Sequence, residues 1–202
     1  MANAERYATI AELQGRLTTR ISAESAVSSA LAAASRAIEG HCNRVFTLDA
    51  VASSRTYTPA RSDELLVDDI GTLTDLVVAI GSDGVSFPNV LTDYWSAPAN
   101  AITKGRPIEL LLTDGLFPVL RITQQRTLSR EVSRPTVQVT ARWGWPSVPE
   151  DVSEAVLLLA SRLYVRRDSP TGVAGFGDMG VVRVSSQDSD VKAMLAPYAR
   201  SL

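Results

Sequence analysis

The spacing of apolar positions along this 202-residue chain changes twice. Near the start, Ile10, Leu13 and Leu17 fall on one helical face, which predicts a short helix over residues 7–18 that Ala8 or Thr9 can start. Val27, Ala30, Leu31, Ala34, Ala37, Ile38 and His41 keep the three-four spacing and predict a longer helix over residues 22–42. Ser22 can cap it, and Glu24 sits where the positive end of the helix dipole favours an acid. The many alanines make this helix thin, so a neighbouring backbone can approach closely.

From about Val45 to Arg142 the helical period is absent. Short extended runs replace it: "SSRTYTPA" (Ser53–Ala60), "ELLVDD" (Glu64–Asp69), "LTDLVVAIG" (Leu73–Gly81), "VSFPNVL" (Val85–Leu91), "RPIELLLT" (Arg106–Thr113), "LFPVLRIT" (Leu116–Thr123) and "TVQVTARW" (Thr136–Trp143). "SDG" at Ser82–Gly84 and "DG" at Asp114–Gly115 are turn signals. Six of the ten prolines lie here, mostly at strand starts or edges, where a missing N–H is tolerated.

Helix returns after Trp145. Ser147 and Glu150 have the spacing of a capping box, with Pro149 in the first turn. Val152, Ala155, Val156, Leu159, Ala160 and Leu163 form a stripe, and Leu157, Leu158 and Val165 lie outside it. A helix apolar on more than one face has to be covered on more than one face. One face meets the bundle and the other has to meet the β insertion or another chain; Leu157, Leu158, Arg162, Val165 and Arg166 are the expected residues of a contact between subunits. Ser169-Pro170 ends the helix, residues 171–180 are glycine-rich, and Val181–Ser185 reads as extended. Asp188 or Ser189 then caps a last helix with Val191, Met194, Leu195 and Tyr198 on one side. The pattern predicts an α+β fold: a small bundle of about four helices with a β-rich insertion between the second and third. The expected segments are residues 1–44 (first bundle helices), 45–142 (insertion) and 143–202 (last helices, with a glycine-rich loop and a tail).

Composition adds bounds. The chain is 45% hydrophobic and 21% charged, an ordinary globular mixture, with a net charge of −2 that provides no strong global pull on nucleic acid. Charge is uneven: residues 1–100 carry 12 acids and 7 bases, residues 101–202 carry 10 acids and 13 bases. Arg121–Arg142 holds five arginines against Glu131 alone, which reads either as a solvated sheet face or as a polyanion-facing patch. One cysteine, Cys42, excludes an internal disulfide and a cysteine metal cluster, and is compatible with a reducing compartment. "MANAERYATIAELQ" carries charges where a leader would need an apolar core, and no apolar run is long enough to span a bilayer.

Candidate chemistry is sparse. "GFGDMG" (Gly175–Gly180) matches G-x-G-x-x-G by letter, but a dinucleotide site needs a strand before it and a helix after it, and the flanks are loop and extended. His41 and Cys42 are adjacent on a helix, so their side chains diverge by about 100° and do not form a nucleophile pair. Asp63, Glu64, Asp68, Asp69, Asp75 and Asp83 read as solvated turn acids in no calcium-loop spacing. Trp143 and Trp145 flank Gly144 at a strand-to-helix corner; they read as pins of that corner or as platforms for sugars or bases.

"VTARWGWPSVPEDVSEAVLLLASRLYVRRDSPTGVAGFGDMGVVRVS" resembles the head-to-tail connector (adaptor) proteins of long-tailed bacteriophages. The ordered pattern is W-G-W-P, V-P-x-x-V, an apolar helix ending R-L-Y-x-R-R, S-P-x-G and a glycine-rich loop. "RTYTPA", "LLVDDIGTLTDLVV", "YWSAPANA" and "YATIAELQGRL" fit upstream. The resemblance implies a structural virion protein, not an enzyme and without a cofactor, at the neck of a particle assembled in the host cytoplasm. It implies a dodecameric ring under the portal protein that extends the DNA channel. The ring would pass double-stranded DNA without sequence specificity, meet the next head-completion or tail-terminator protein, and touch no membrane. It also implies that residues 181–202 dock on the portal, with Val191, Leu195 and Tyr198 as anchors. On this reading Arg121–Arg142 faces a neighbour or the ring exterior. Two other classes stand beside it: a carbohydrate- or ligand-binding module using Tyr94, Trp95 or Trp143, and a carboxylate hydrolase using Asp68 or Asp69.

Overall fold

A computed structural model describes residues 7–17, 24–119, 121–123, 131–133, 135–167 and 189–200. Among the described residues it is an α+β fold of four α-helices, with the strands between the second and the third helix. Two compact units result: Met1–Phe46 with Val148–Leu202, and Thr47–Ser147.

The helical unit contains α1 (Ile10–Arg16), α2 (Glu24–Cys42), α3 (Glu150–Arg167) and α4 (Ser189–Leu195). Thr9 caps α1. Its hydroxyl accepts from the Glu12 N–H, while the Glu12 carboxylate accepts from the Thr9 N–H at 2.7 Å, a reciprocal box that closes two otherwise unpaired donors. α2 buries Val27, Ala30, Leu31, Ala34, Ser35, Ile38 and Cys42, and leaves Ala37 and His41 exposed. The helical stripe therefore runs one position off the predicted one at its C-terminal end. α3 begins at Glu150, and the Pro149 carbonyl accepts from Ser153. That puts proline at the N-cap, so Ser147 and Glu150 are out of capping-box register. The apolar breadth of α3 is answered inside the unit, because α3 packs against α1, α2 and α4 together. Val152, Ala155, Val156, Leu157, Ala160 and Tyr164 are all buried. Each fully buried Val or Leu contributes roughly 1.5–3 kcal/mol, so α2 and α3 together supply much of the apolar burial of this unit.

The β unit is built from β1 (Ser53–Tyr57), β2 (Glu64–Ile70), β3 (Val77–Ile80), β4 (Asn89–Leu91), β5 (Trp95–Ala97), β6 (Ile108–Leu112), β7 (Arg121–Thr123), β8 (Glu131–Ser133) and β9 (Val137–Ala141). The sheet orders are β1-β9-β3-β4 and β2-β6-β5, antiparallel throughout, with β7-β8 as a separate ribbon. Both larger sheets contribute to one core: Leu65, Val67, Ile70, Ile108 and Leu111 from one, Val78, Leu91, Val137, Val139 and Ala141 from the other. A bridge between Ile70 and Trp143 links them at one corner. β5 and β8 are absent from the sequence expectation, since three residues are too few to display a period of two.

Candidate functional site

The W-G-W-P corner is a structural lock, assembled from distant parts of the β unit. Trp143 is buried in the sheet core and its Nε1 donates to the Ser53 carbonyl at 2.9 Å. The Arg55 guanidinium lies 4.3 Å from the Trp143 ring centroid and also pairs with Asp68 at 2.7 Å. Trp145 is buried too, and its Nε1 donates to the Asp69 carboxylate at 3.0 Å, while the Gly144 N–H donates to the Asp69 carbonyl at 2.6 Å. Gly144 has φ +102°, and a Cβ there would overlap the Thr47 carbonyl oxygen, so no side chain fits. Gly71 closes the same corner: its N–H donates to the Arg142 carbonyl, and a Cβ would meet the Gly144 oxygen at 2.8 Å.

This corner decides several sequence expectations. Asp69 is not a solvated turn acid; the indole of Trp145 holds it in the interior. Asp68 is engaged by Arg55 and by the Tyr57 hydroxyl, which donates to it at 2.9 Å, and burial pushes the Tyr57 phenol well above its ordinary range. Both carboxylates proposed for hydrolysis are thus committed to the fold. Trp143 offers no ligand a face, whereas Trp95 is 58% exposed and Tyr94 half-buried. His41 points outward from α2 and Cys42 inward, where burial raises its thiol pKa. Among the described residues no group of three or more His, Cys, Asp or Glu could hold a metal ion, and no helix is long and apolar enough to cross a membrane. The G-x-G-x-x-G run and the Arg126 and Arg130 side chains lie outside the described residues.

The residues expected to contact other chains are divided by the structure. Leu157 is buried, only 7% exposed, so it leaves the proposed subunit contact: its own protomer already covers it. Leu158 is half-buried, and Arg162, Val165 and Arg166 are exposed. With spacings of four and three, Leu158, Arg162 and Val165 share one outward stripe, and Arg166 borders it. Val191 and Leu195 are also buried, at 7% and 1% exposure, in the interior of the helical unit. Tyr198 stacks edge-on to Phe46 at 5.9 Å and donates to Asp151 at 3.0 Å. The Arg200 N–H donates to the Cys42 carbonyl. In this conformation the three expected portal anchors fasten the C-terminal segment to its own helices, which the short three-four pattern of residues 189–198 does not distinguish from an anchor for another chain.

One exposed surface escaped the sequence reading. On the outer face of the β2-β6-β5 sheet, Leu66 pairs with Leu110 and Leu110 with Ala97, while Leu112 pairs with Trp95. Leu66 is 67% exposed. The outer face of the other sheet begins in the ordinary way, with Ser54 and Thr56 beside Thr140 and Gln138, and the Ser54 and Thr140 hydroxyls share a hydrogen bond of 2.7 Å. Farther along it carries two exposed valines, Val77 and Val90, with Ala79 buried between β9 and β4.

The fold defines a class: a four-helix unit interrupted by an antiparallel two-sheet unit. No protein-family model and no curated protein matches the chain. Two solved structures share the fold over its full length. A chain from the neck of an empty gene transfer agent particle, computed with C6 symmetry, superposes with a TM-score of 0.55 at 18% identity, covering 100% of this chain and 95% of that one. A chain from the virion of a native gene transfer agent particle superposes with a TM-score of 0.54 at 21% identity, with the same coverage.

Proposed function

We propose that this chain is a structural, non-enzymatic protein of a phage-like particle, placed in the neck where head joins tail. The observation that carries the reading is the end-to-end likeness to a chain from a gene transfer agent neck, helical unit and β insertion together. The motif order from W-G-W-P to S-P-x-G supports it from the sequence side. The commitment of Asp68, Asp69, Trp143 and Trp145 to folding supports a role without turnover.

In this reading the chain acts as an adaptor. Twelve copies form a ring under the portal protein, extend the DNA channel and present a platform to the next head-completion or tail-terminator protein. A net charge of −2 suits a channel through which double-stranded DNA slides without being gripped or read. The C-terminal segment faces the portal. Because Val191 and Leu195 are occupied within the subunit, that contact falls to the exposed positions 192, 193 and 196. The outward stripe of Leu158, Arg162 and Val165, bordered by Arg166, contributes to contacts between subunits.

The test is particle assembly. Cells producing the particle without this chain should accumulate DNA-filled heads lacking tails, and electron microscopy of portal mixed with the purified chain should show an added ring. Particles that join heads to tails normally in its absence would end the reading.

A further inference from the structure

We infer that Asp114 is a site of spontaneous covalent modification: its side chain condenses with the Gly115 nitrogen and re-opens as isoaspartate, whereas Asp83, in the same Asp-Gly sequence, is protected by the fold. This inference is independent of the neck reading.

The chemistry is intrinsic to the Asp-Gly step, of which the chain has two, Asp83-Gly84 and Asp114-Gly115. Glycine has no side chain to shield its nitrogen. That nitrogen attacks Cγ of the preceding aspartic acid. Its proton and the carboxyl hydroxyl leave as water, and a cyclic imide closes. Water then opens the ring at either carbonyl. Opening at Cγ restores aspartate. Opening at the main-chain carbonyl routes the backbone through Cβ and Cγ and frees the α-carboxylate. The water lost is regained, and no oxidant, reductant or enzyme takes part.

The structure separates the two steps. Asp83 Oδ1 accepts from the Val85 N–H at 2.9 Å and from the Ser86 N–H at 2.7 Å. Turning this carboxyl toward the Gly84 nitrogen breaks both bonds. The surrounding turn is tight as well, since a Cβ on Gly81 would overlap the Ser86 carbonyl oxygen. Asp114 is in the reverse situation. The Thr113 N–H donates to the Asp63 carbonyl and the Phe117 N–H to the Ser62 carbonyl, both at 3.0 Å. Between these anchors Asp114, Gly115 and Leu116 form an exposed tip. Among the described residues no hydrogen bond or ion pair holds the Asp114 carboxyl or the Gly115 N–H. A Cβ built on Gly115 would meet nothing within 4 Å. Ring closure at Asp114 therefore sacrifices no native contact, and the added backbone methylene falls in a loop tip, where a chain tolerates local change. Two hydrogen bonds that have to break first place the Asp83 rate about tenfold or more below that of Asp114.

Ageing the purified full chain tests this. Folded protein is held warm for weeks beside a sample in urea. Isoaspartate is read by methyl transfer from S-adenosylmethionine with a protein-isoaspartyl methyltransferase, and peptide mapping assigns it to Asp83 or Asp114. In the folded chain Asp114 should accumulate isoaspartate about ten times faster than Asp83, or more. In urea, where the Asp83 hydrogen bonds are gone, the two rates should converge. Asp114→Glu should remove the fast signal and keep the melting profile of the parent. Comparable rates at the two sites in the folded chain, or no isoaspartate at Asp114, would overturn the inference. So would a difference that persists in urea, which would place the selectivity in the local sequence and not in the fold. Fast methylation that survives in Asp114→Glu would put the modification elsewhere and count against it equally.

Discussion

The indole Nε1 of Trp145 donates a 3.0 Å hydrogen bond to the buried carboxylate of Asp69, 76 residues earlier in the chain. It ties the end of the last β-unit strand segment to β2. Replacing Asp69 by Ala strands the indole N–H in the interior, which costs about 1–3 kcal/mol beyond any lost packing. Asp69→Asn keeps an acceptor and should lose less. Urea denaturation of the two variants checks the order, and equal losses would mean that the Trp145 bond contributes nothing.

Gly144→Ala should be among the most damaging single-methyl additions in the chain. The substitution forces a Cβ onto the Thr47 carbonyl and a side chain into φ +102°. Backbone strain and overpacking each run to about 1–3 kcal/mol, so a loss of about 3 kcal/mol or more, or insoluble expression, is expected. Gly40→Ala, on an open helix position, serves as the control and should be neutral or slightly stabilising. A melting temperature for Gly144→Ala within a degree or two of the parent's would contradict the close approach.

Leu157 and Val165 set the folded core against the proposed subunit contact on one helix. Leu157→Ala empties a buried site and should cost about 2–5 kcal/mol. Val165→Asp alters a 54% exposed position and should stay within about 0.5 kcal/mol of the parent in melting, while lowering ring formation. Thermal unfolding beside electron microscopy of rings reads the two effects independently. Reversal of the pattern would place Val165 in the core and Leu157 at the contact.

The Arg16–Glu154 pair makes the helical unit sensitive to acid. Arg16 donates to Glu154 at 2.6 Å through one guanidinium nitrogen and also through the other, and holds the Glu154 carboxyl below its ordinary value of 4.5. The hydrogen bonds of the Thr9 cap lower Glu12 in the same way. A depressed carboxyl contributes stability that is complete above the unfolded value. That contribution is lost as pH falls from about 4.5 through the lower folded value. Both partners of the ion pair are more than a third exposed, so its share is discounted to about 0–1 kcal/mol. Glu154→Gln should flatten the decline in stability below pH ~4.5 and leave the dependence near neutral pH unchanged. An unaltered acid limb would show that the pair is fully screened.

Leu195→Ala tests whether the C-terminal segment belongs to its own subunit. Leu195 is 1% exposed and Tyr198 reaches Asp151 and Phe46, so the variant should lose about 2–5 kcal/mol in the isolated protein, with no portal present. Unchanged stability in isolation, with loss only of portal binding, would restore Leu195 to the role of an anchor.

Much of the architecture was legible along the chain because it depends on local period. The change from three-four spacing to alternation near Val45, and back after Trp145, marks the four helices and the β insertion between the second and third. Thr9, one of the two residues expected to start the first helix, caps it, and the structure adds the box with Glu12. What the local pattern leaves undetermined is which of two adjacent apolar residues faces inward. In "ELLVDD", Leu65 enters the core and Leu66 faces out only because pairing with Leu111 and Leu110 sets the register. The same holds for Asp68 and Asp69, one half-exposed beside Arg55 and the other buried beneath Trp145. It holds for Leu157, buried on a helix that packs against three others, two of them more than a hundred residues earlier. Periodicity is a property of neighbours in the chain, while burial is a property of neighbours in space. The element types therefore belonged to the sequence, and the division of apolar surface between core and contact was decided by the tertiary structure alone.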